Sequence, residues 1–204
     1  EKKEDTLLVR TILIVLMISL PVDAHTFTGM IGFYDGLSHP VLGIDHFLAM
    51  VSVGIISSQI GGRAIWTIPS TFVFMMIVGG MLGMVAELFL FNLIEIFIVL
   101  VEFGIIFSVI LLGLAIAFGK KILTNLTIFF ICIFGLCHGL AHGMEMPWAA
   151  NPILFAIGFS SGTAILHLFG VILGGLLIKN HYLLLLLRFI GIAFASYGVL
   201  LLYN

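Results

Sequence analysis

The chain has 204 residues, of which 62% are hydrophobic and only 9% charged. A soluble domain runs at about 45–50% apolar and ~25% charged, so this chain lacks the polar surface to cover a globule in water, and the bilayer is its main solvent. With 8 basic against 10 acidic residues and no basic block, the composition also speaks against nucleic-acid binding, and Cys132 and Cys137 form neither a CxxC motif nor a disulfide framework.

In chain order, the first segment reads as a leader. Lys2, Lys3 and Arg10 precede a short apolar run, Thr11 to Leu20, which Pro21 breaks. Val22 and Ala24 then stand at the −3 and −1 positions of a signal-peptidase site. Cleavage there would remove residues 1–24 and leave His25 as the new N-terminus. The alternative is an uncleaved first helix, but the run is short for a bilayer span, which takes roughly 20 apolar residues. Residues 25–204 then form one transmembrane domain.

Six further apolar runs are long enough to span: Val41–Ile60, Ile65–Phe91, Leu93–Phe118, Ile122–Met144, Pro152–Ile178 and Tyr182–Leu202. The breaks between them are too short for a soluble domain, and no Walker A motif is present. The predicted fold is therefore an all-α membrane protein, a six-helix transmembrane bundle after a cleaved signal peptide. Arg63, Lys120-Lys121 and Lys179 mark alternate loops, and Arg188 can snorkel to the same face. The positive-inside rule puts that face in the cytoplasm. The mature N-terminus and the C-terminus then lie outside, where a cleaved leader would also deliver the N-terminus.

Ionisable side chains in lipid are costly, roughly 2.5–3.5 kcal/mol for Asp at a helix centre, so those that persist are usually functional. Here Asp35, Asp45, Glu87, Glu95, Glu102 and Glu145 all fall in or near the outer half, with five of the seven histidines. One constellation is His39-Pro40-Val41-Leu42-Gly43-Ile44-Asp45-His46. Pro40 suits a helix start, which places His39 just before the helix and Asp45 and His46 within about two turns of its outer end. Imidazole with carboxylate suits Ni, Co, Zn or Cu better than Ca or Mg. The alternative is an end cap with buried hydrogen bonds that fix helix packing.

A second constellation runs from His138 to Pro147. His138, His142 and Glu145 fall at i, i+4 and i+7, on one helical stripe, as a divalent-metal half-site would require. Two histidines that merely hydrogen-bond across helices would need two buried partners. The zincin signature HExxH is absent, because residue 139 is glycine. Deeper, Ser160, Thr163 and His167 share a face, with His167 ~22 Å along its helix from Pro152. A lone histidine there is more often a packing residue, although it would suit a relay beneath an outer site. Glu95 and Glu102 share a face of the third span, and Glu102, roughly 13 Å deep, needs a partner or a proton. Met75, Met76, Met81 and Met84 read as packing filler.

The segment HPVLGIDH, His39 to His46, resembles the HP-x-x-G-x-DH signature of the HupE/UreJ family of bacterial membrane proteins. HGLAHGMEMP, His138 to Pro147, is similar to that family's HG-x-AHG-x-E-x-P. Glu102, Gly104 and Ser108 resemble its E-x-G-x-x-x-S pattern, and Gly158-Phe159, Thr163 and His167 its fifth-span pattern. The resemblance covers the mature chain in order. It implies a nickel permease of the bacterial inner membrane, tied to hydrogenase or urease maturation, with cobalt as the next ion.

These readings combine into an expectation. The chain is a secondary permease that captures a divalent transition metal ion, nickel first and Co, Cu or Zn after it, and carries no prosthetic group. His39, Asp45, His46, His138, His142 and Glu145 form the outward entry site, joined by His25 and its freed amine. Glu102 and His167 carry the ion or counter-protons deeper. Partners are the bilayer, the metal ion and metalloenzyme maturation proteins. The rival readings are an intramembrane zinc hydrolase, with Glu145 or Asp45 as general base, and a non-transporting metal-binding accessory protein.

Overall fold

A computed structural model describes residues 32–89, 94–119, 123–144, 146 and 151–203. The leader, His25 and Glu145 lie outside the described residues. All the regular structure in them is helical: α1 (Phe33–Leu42), α2 (Ile44–Ile60), α3 (Ala64–Phe89), α4 (Ile94–Phe118), α5 (Thr124–Met144), α6 (Pro152–Leu177) and α7 (His181–Leu201). Five of these are long and apolar enough to cross a membrane, and α1 with α2 makes a sixth if the bent pair counts as one span.

The five long helices fall within a few residues of the predicted runs, because a bilayer-length apolar stretch is set by composition alone. Local chemistry places several ends. Asn151 accepts hydrogen bonds from the backbone N–H groups of Ile153 and Leu154, ahead of Pro152 at the first turn of α6. Asn180 caps α7 by accepting from Tyr182 N–H. Arg188 reaches the C-terminal end of α4, where a Cβ on Gly119 would lie 3.7 Å from its Nε.

The first span departs from expectation. Instead of one helix from Val41 to Ile60, two helices meet at Gly43 and bend by 83°. His39 and Pro40 lie inside α1, not ahead of a helix. Hydropathy misses α1 because Asp35, Ser38 and His39 dilute it. Gly43 ends α1 through its N–H to His39 C=O and starts α2 by accepting from Phe47 N–H.

Both halves nevertheless run along α6 in the same direction. Gly36 of α1 packs on Phe155 and Phe159, and Leu37 on Gly158 and Gly162. Further along, Gly54 of α2 packs on His167 and Gly170, and Ile55 on Gly174. The broken pair thus covers the length of one membrane-spanning partner, with a sideways step at Gly43. From Ala49 to Ser58 every side chain of α2 is buried, so this helix is the axis of the bundle.

Helices in lipid associate through close packing of small residues rather than a hydrophobic drive. On α5, a Cβ at Gly139 would run into the Met76 carbonyl, and Gly143 sits on Gly80. These contacts lock α3 and α5 side by side in parallel. Gly113 and Gly191 do the same for α4 and α7, which run antiparallel. Up-and-down alternation follows. One end of the bundle gathers the starts of α1, α4 and α6 and the end of α5, and the basic residues Arg63 and Lys179 lie at the other.

Candidate metal centre

Four imidazoles from three helices meet in the space that the step at Gly43 opens. His39 comes from α1, His46 from the first turn of α2, and His138 and His142 from the last two turns of α5. Ring centroids lie 4.5 Å apart for His39 and His142, 4.5 Å for His46 and His142, 5.0 Å for His46 and His138, and 6.1 Å for His39 and His46. The two sequence constellations, about ninety residues apart in the chain, are therefore one cluster.

The hydrogen bonds decide which nitrogens face that cluster. His46 Nδ1–H donates to Asp45 Oδ1 at 2.8 Å, and His138 Nδ1–H donates to the Phe134 carbonyl at 2.8 Å. A neutral imidazole with a proton on Nδ1 keeps its lone pair on Nε2. Both Nε2 atoms are buried without a hydrogen-bond partner among the described residues, as are both ring nitrogens of His142. A buried polar atom left unpaired costs about 1–3 kcal/mol, and His138 is 0% and His142 4% exposed. The Nε2 lone pairs of His46 and His138, with the single lone pair that a neutral His142 can offer, are donors that suit a borderline cation.

Asp45 is engaged by its neighbour His46. Its carboxylate holds the His46 ring, the arrangement by which an outer carboxylate orients a metal-binding histidine and raises its basicity. A Cβ on Gly43 would lie 3.0 Å from His46 Nδ1 and 3.1 Å from Asp45 Oδ1. Glycine at the break therefore leaves room for this pair to fold back over the start of α2. Asp45 also sits in the first turn of that helix, where a negative charge is favoured.

Aromatic rings wall the cluster. Phe159 lies 4.4 Å from His142 and stacks on Phe155, while Phe72 packs edge-on against His138 at 5.3 Å. Phe159 falls in the fifth-span pattern of the resemblance, whereas sequence reasoning missed Phe72 and Phe155, since nothing sets them apart among 19 phenylalanines. A cavity of about 70 Å³ opens beside His142, lined by Met76, Gly80, Met84, Phe159 and Ser160.

Two expected path residues fall outside the cluster. His167 is 2% exposed, has no partner for either ring nitrogen among the described residues, and lies 5.2 Å from Phe72. Glu102 is on the exposed side of α4 with Glu95, and neither makes a hydrogen bond or ion pair among the described residues. Nor do any three His, Cys, Asp or Glu side chains among the described residues stand placed to hold one metal ion together. The imidazoles are gathered but not closed into a tetrahedral or octahedral shell.

The family model described as HupE / UreJ protein matches residues 13–201. The chain belongs to the HupE/UreJ family. Protein HupE of Rhizobium leguminosarum bv. viciae is 40% identical over 161 residues, covering 78% of this chain and 80% of that protein. No solved structure matches the chain. Within this HupE/UreJ chain, both histidine motifs belong to a single cluster, and the break in the first span is what admits them to it.

Proposed function

We propose that this HupE/UreJ protein is a secondary permease that takes a divalent transition metal ion, nickel first, inward across the bacterial inner membrane. One observation carries the reading: imidazoles of His39, His46, His138 and His142 converge from three helices, and His46, His138 and His142 bring buried ring nitrogens without a hydrogen-bond partner among the described residues. The donor set suits Ni, Co, Cu or Zn and disfavours Mg and Ca. Nickel comes first by membership of the family, with cobalt next.

The cluster faces outward in this reading. Arg63, Lys179 and Arg188 belong to the opposite half of the bundle, which the positive-inside rule assigns to the cytoplasm. The leader 1–24 is cleaved, six spans remain, and both mature termini lie outside. Glu145 follows one turn after His142 and would bring a carboxylate to the cluster, and His25 would add a further nitrogen at the mouth. His167 passes the ion or its counter-proton deeper, and Glu102 serves as an acidic site on the outer face of α4.

An ion that is to leave again must be held incompletely. Imidazoles replace part of its water shell, Asp45 offsets charge through His46, and the open geometry permits release. Histidines bind metal only when neutral, so capture weakens as pH falls. Metalloenzyme maturation proteins are the consumers of the ion on the inner side.

Nickel accumulation by cells that express wild type, His46→Ala or His138→Ala tests the reading. Uptake by wild type and its loss in both variants is the expected result, and equal accumulation in all three would overturn it. Zinc retained through purification, with lipid hydrolysis abolished by a chelator, would instead favour the hydrolase. Uptake in a host that lacks the dependent metalloenzyme counts against a purely accessory role.

A further inference from the structure

Beneath the cluster, the described residues contain one feature that the reading above does not use. His138 and His167 are both fully enclosed, on different helices, and the ring of Phe72 is in edge contact with each, at 5.3 Å and 5.2 Å between centroids. Among the described residues His167 makes ring contact with Phe72 and with none of the four clustered imidazoles. Phe72 is itself 0% exposed.

Two spaces lie near these rings, one beside His142. The other, a groove of about 450 Å³ that reaches His167, opens to the outside of the bundle between Trp66, Phe74 and Leu168, which are exposed. Phe72 lines neither, and Ile77 borders both. The enclosed route from His138 to His167 therefore runs past the Phe72 ring itself. One turn further along α3, Met76 packs beside this route, with its sulfur 3.6 Å from the Thr163 hydroxyl one turn before His167.

The backbone beneath Phe72 is held. A Cβ at Gly135 would lie 2.7 Å from the Phe72 carbonyl, and Gly139 sits on the Met76 carbonyl, so α5 clamps α3 at both levels. Pro69, one turn earlier, lacks the N–H that would bond the Ile65 carbonyl. A side-chain rotation of Phe72 is therefore the small movement available at this level.

We infer that Phe72 is the barrier of the permeation path, an aromatic ring that separates the histidine cluster from His167 and must turn aside for each ion. This rests on the permease reading. A benzene ring offers a metal aquo-ion no lone pair, so an ion cannot rest at that level, and a closed ring blocks hydrated ions that the imidazoles have not captured. The residue thus sets both the rate of passage and the discrimination against ions that bind imidazole poorly.

The test uses the full-length chain reconstituted in liposomes, with influx of nickel and of magnesium followed down an imposed gradient for wild type, Phe72→Leu and Phe72→Ala. Nickel influx is expected to rise from Phe to Leu to Ala. In Phe72→Ala magnesium influx should rise about tenfold, the effect of ~1.4 kcal/mol off a barrier. Nickel affinity is measured in detergent for the same variants, so that a change in passage is separated from a change in capture. Truncation of a buried Phe to Ala costs about 3–5 kcal/mol of stability, so Phe72→Leu decides if Phe72→Ala fails to fold. Unchanged influx and selectivity in Phe72→Leu would overturn the inference, as would influx that falls in step with affinity. If wild type moves nickel and His46→Ala does not, while Phe72→Leu behaves as wild type, the barrier alone fails. If wild type moves no nickel, the permease reading fails with it.

Discussion

Two regions of this molecule bury imidazole, and they differ in how the rings are held. Above Phe72, His46 and His138 have their Nδ1 protons occupied, by Asp45 and by the Phe134 carbonyl, so each presents Nε2 in a set direction. Below Phe72, His167 has neither nitrogen engaged among the described residues. A ring oriented by a second group is built to select a ligand, whereas a ring without one can turn, take a ligand from one side and give it up on the other. The difference sets His46 and His138 apart from His167, while His142, with neither nitrogen engaged among the described residues, shares the freedom of His167 inside the cluster.

Substitutions can break or sharpen that contrast. The largest effect after loss of the imidazoles themselves is expected for Asp45→Asn, which keeps the shape of the group that orients His46 and removes its charge. Nickel affinity, measured by equilibrium titration of the purified protein, should fall about 10- to 100-fold, as for other outer partners of metal-binding histidines. His167→Leu should leave that affinity in place and lower the maximal uptake rate, by about tenfold if the ring removes ~1.4 kcal/mol from the barrier. A parallel loss of affinity would show that the two regions are not distinct.

Gly43→Ala tests the break in the first span. The added methyl crowds His46 Nδ1 and Asp45 Oδ1, and overpacking of this kind costs about 1–3 kcal/mol. Affinity is expected to weaken by several fold, less than in Asp45→Asn, and thermal unfolding in detergent should show the strain. The smallest effect is expected for Glu102→Gln, which lies on the exposed side of α4. Nickel affinity should change by less than about twofold, within the range of a remote substitution, and a larger change would bring α4 into the capture site.

Much of this was legible in the chain. Long apolar runs mark α3 to α7 to within a few residues, and His138 and His142 at i, i+4 already lie on one stripe of α5. Asp45 beside His46 was legible as a metal-site motif, but its use was not: adjacent residues can both be ligands or can be ligand and orienter, and only the 2.8 Å contact distinguishes them. The break at Gly43 was hidden because α1 carries Asp35, Ser38 and His39, so that hydropathy begins to count the span too late. Phe72 and Phe155 were hidden because an apolar ring at a helical position looks the same whether it faces lipid, core or site.

By itself, then, the sequence determined the solvent, the extent of five long helices and the kinds of donor atom, since each depends on composition or on spacing within one helix. Tertiary structure decided that two motifs make one cluster, that Asp45 accepts a hydrogen bond from His46, that Glu102 stands apart, and that a phenylalanine touches both His138 of the cluster and His167. Those outcomes depend on which faces of separate helices meet, and helix faces in lipid meet through glycine contacts such as Gly139 on Met76 and Gly54 on Gly170. No periodicity within a single helix encodes the partner on the other side of such a contact.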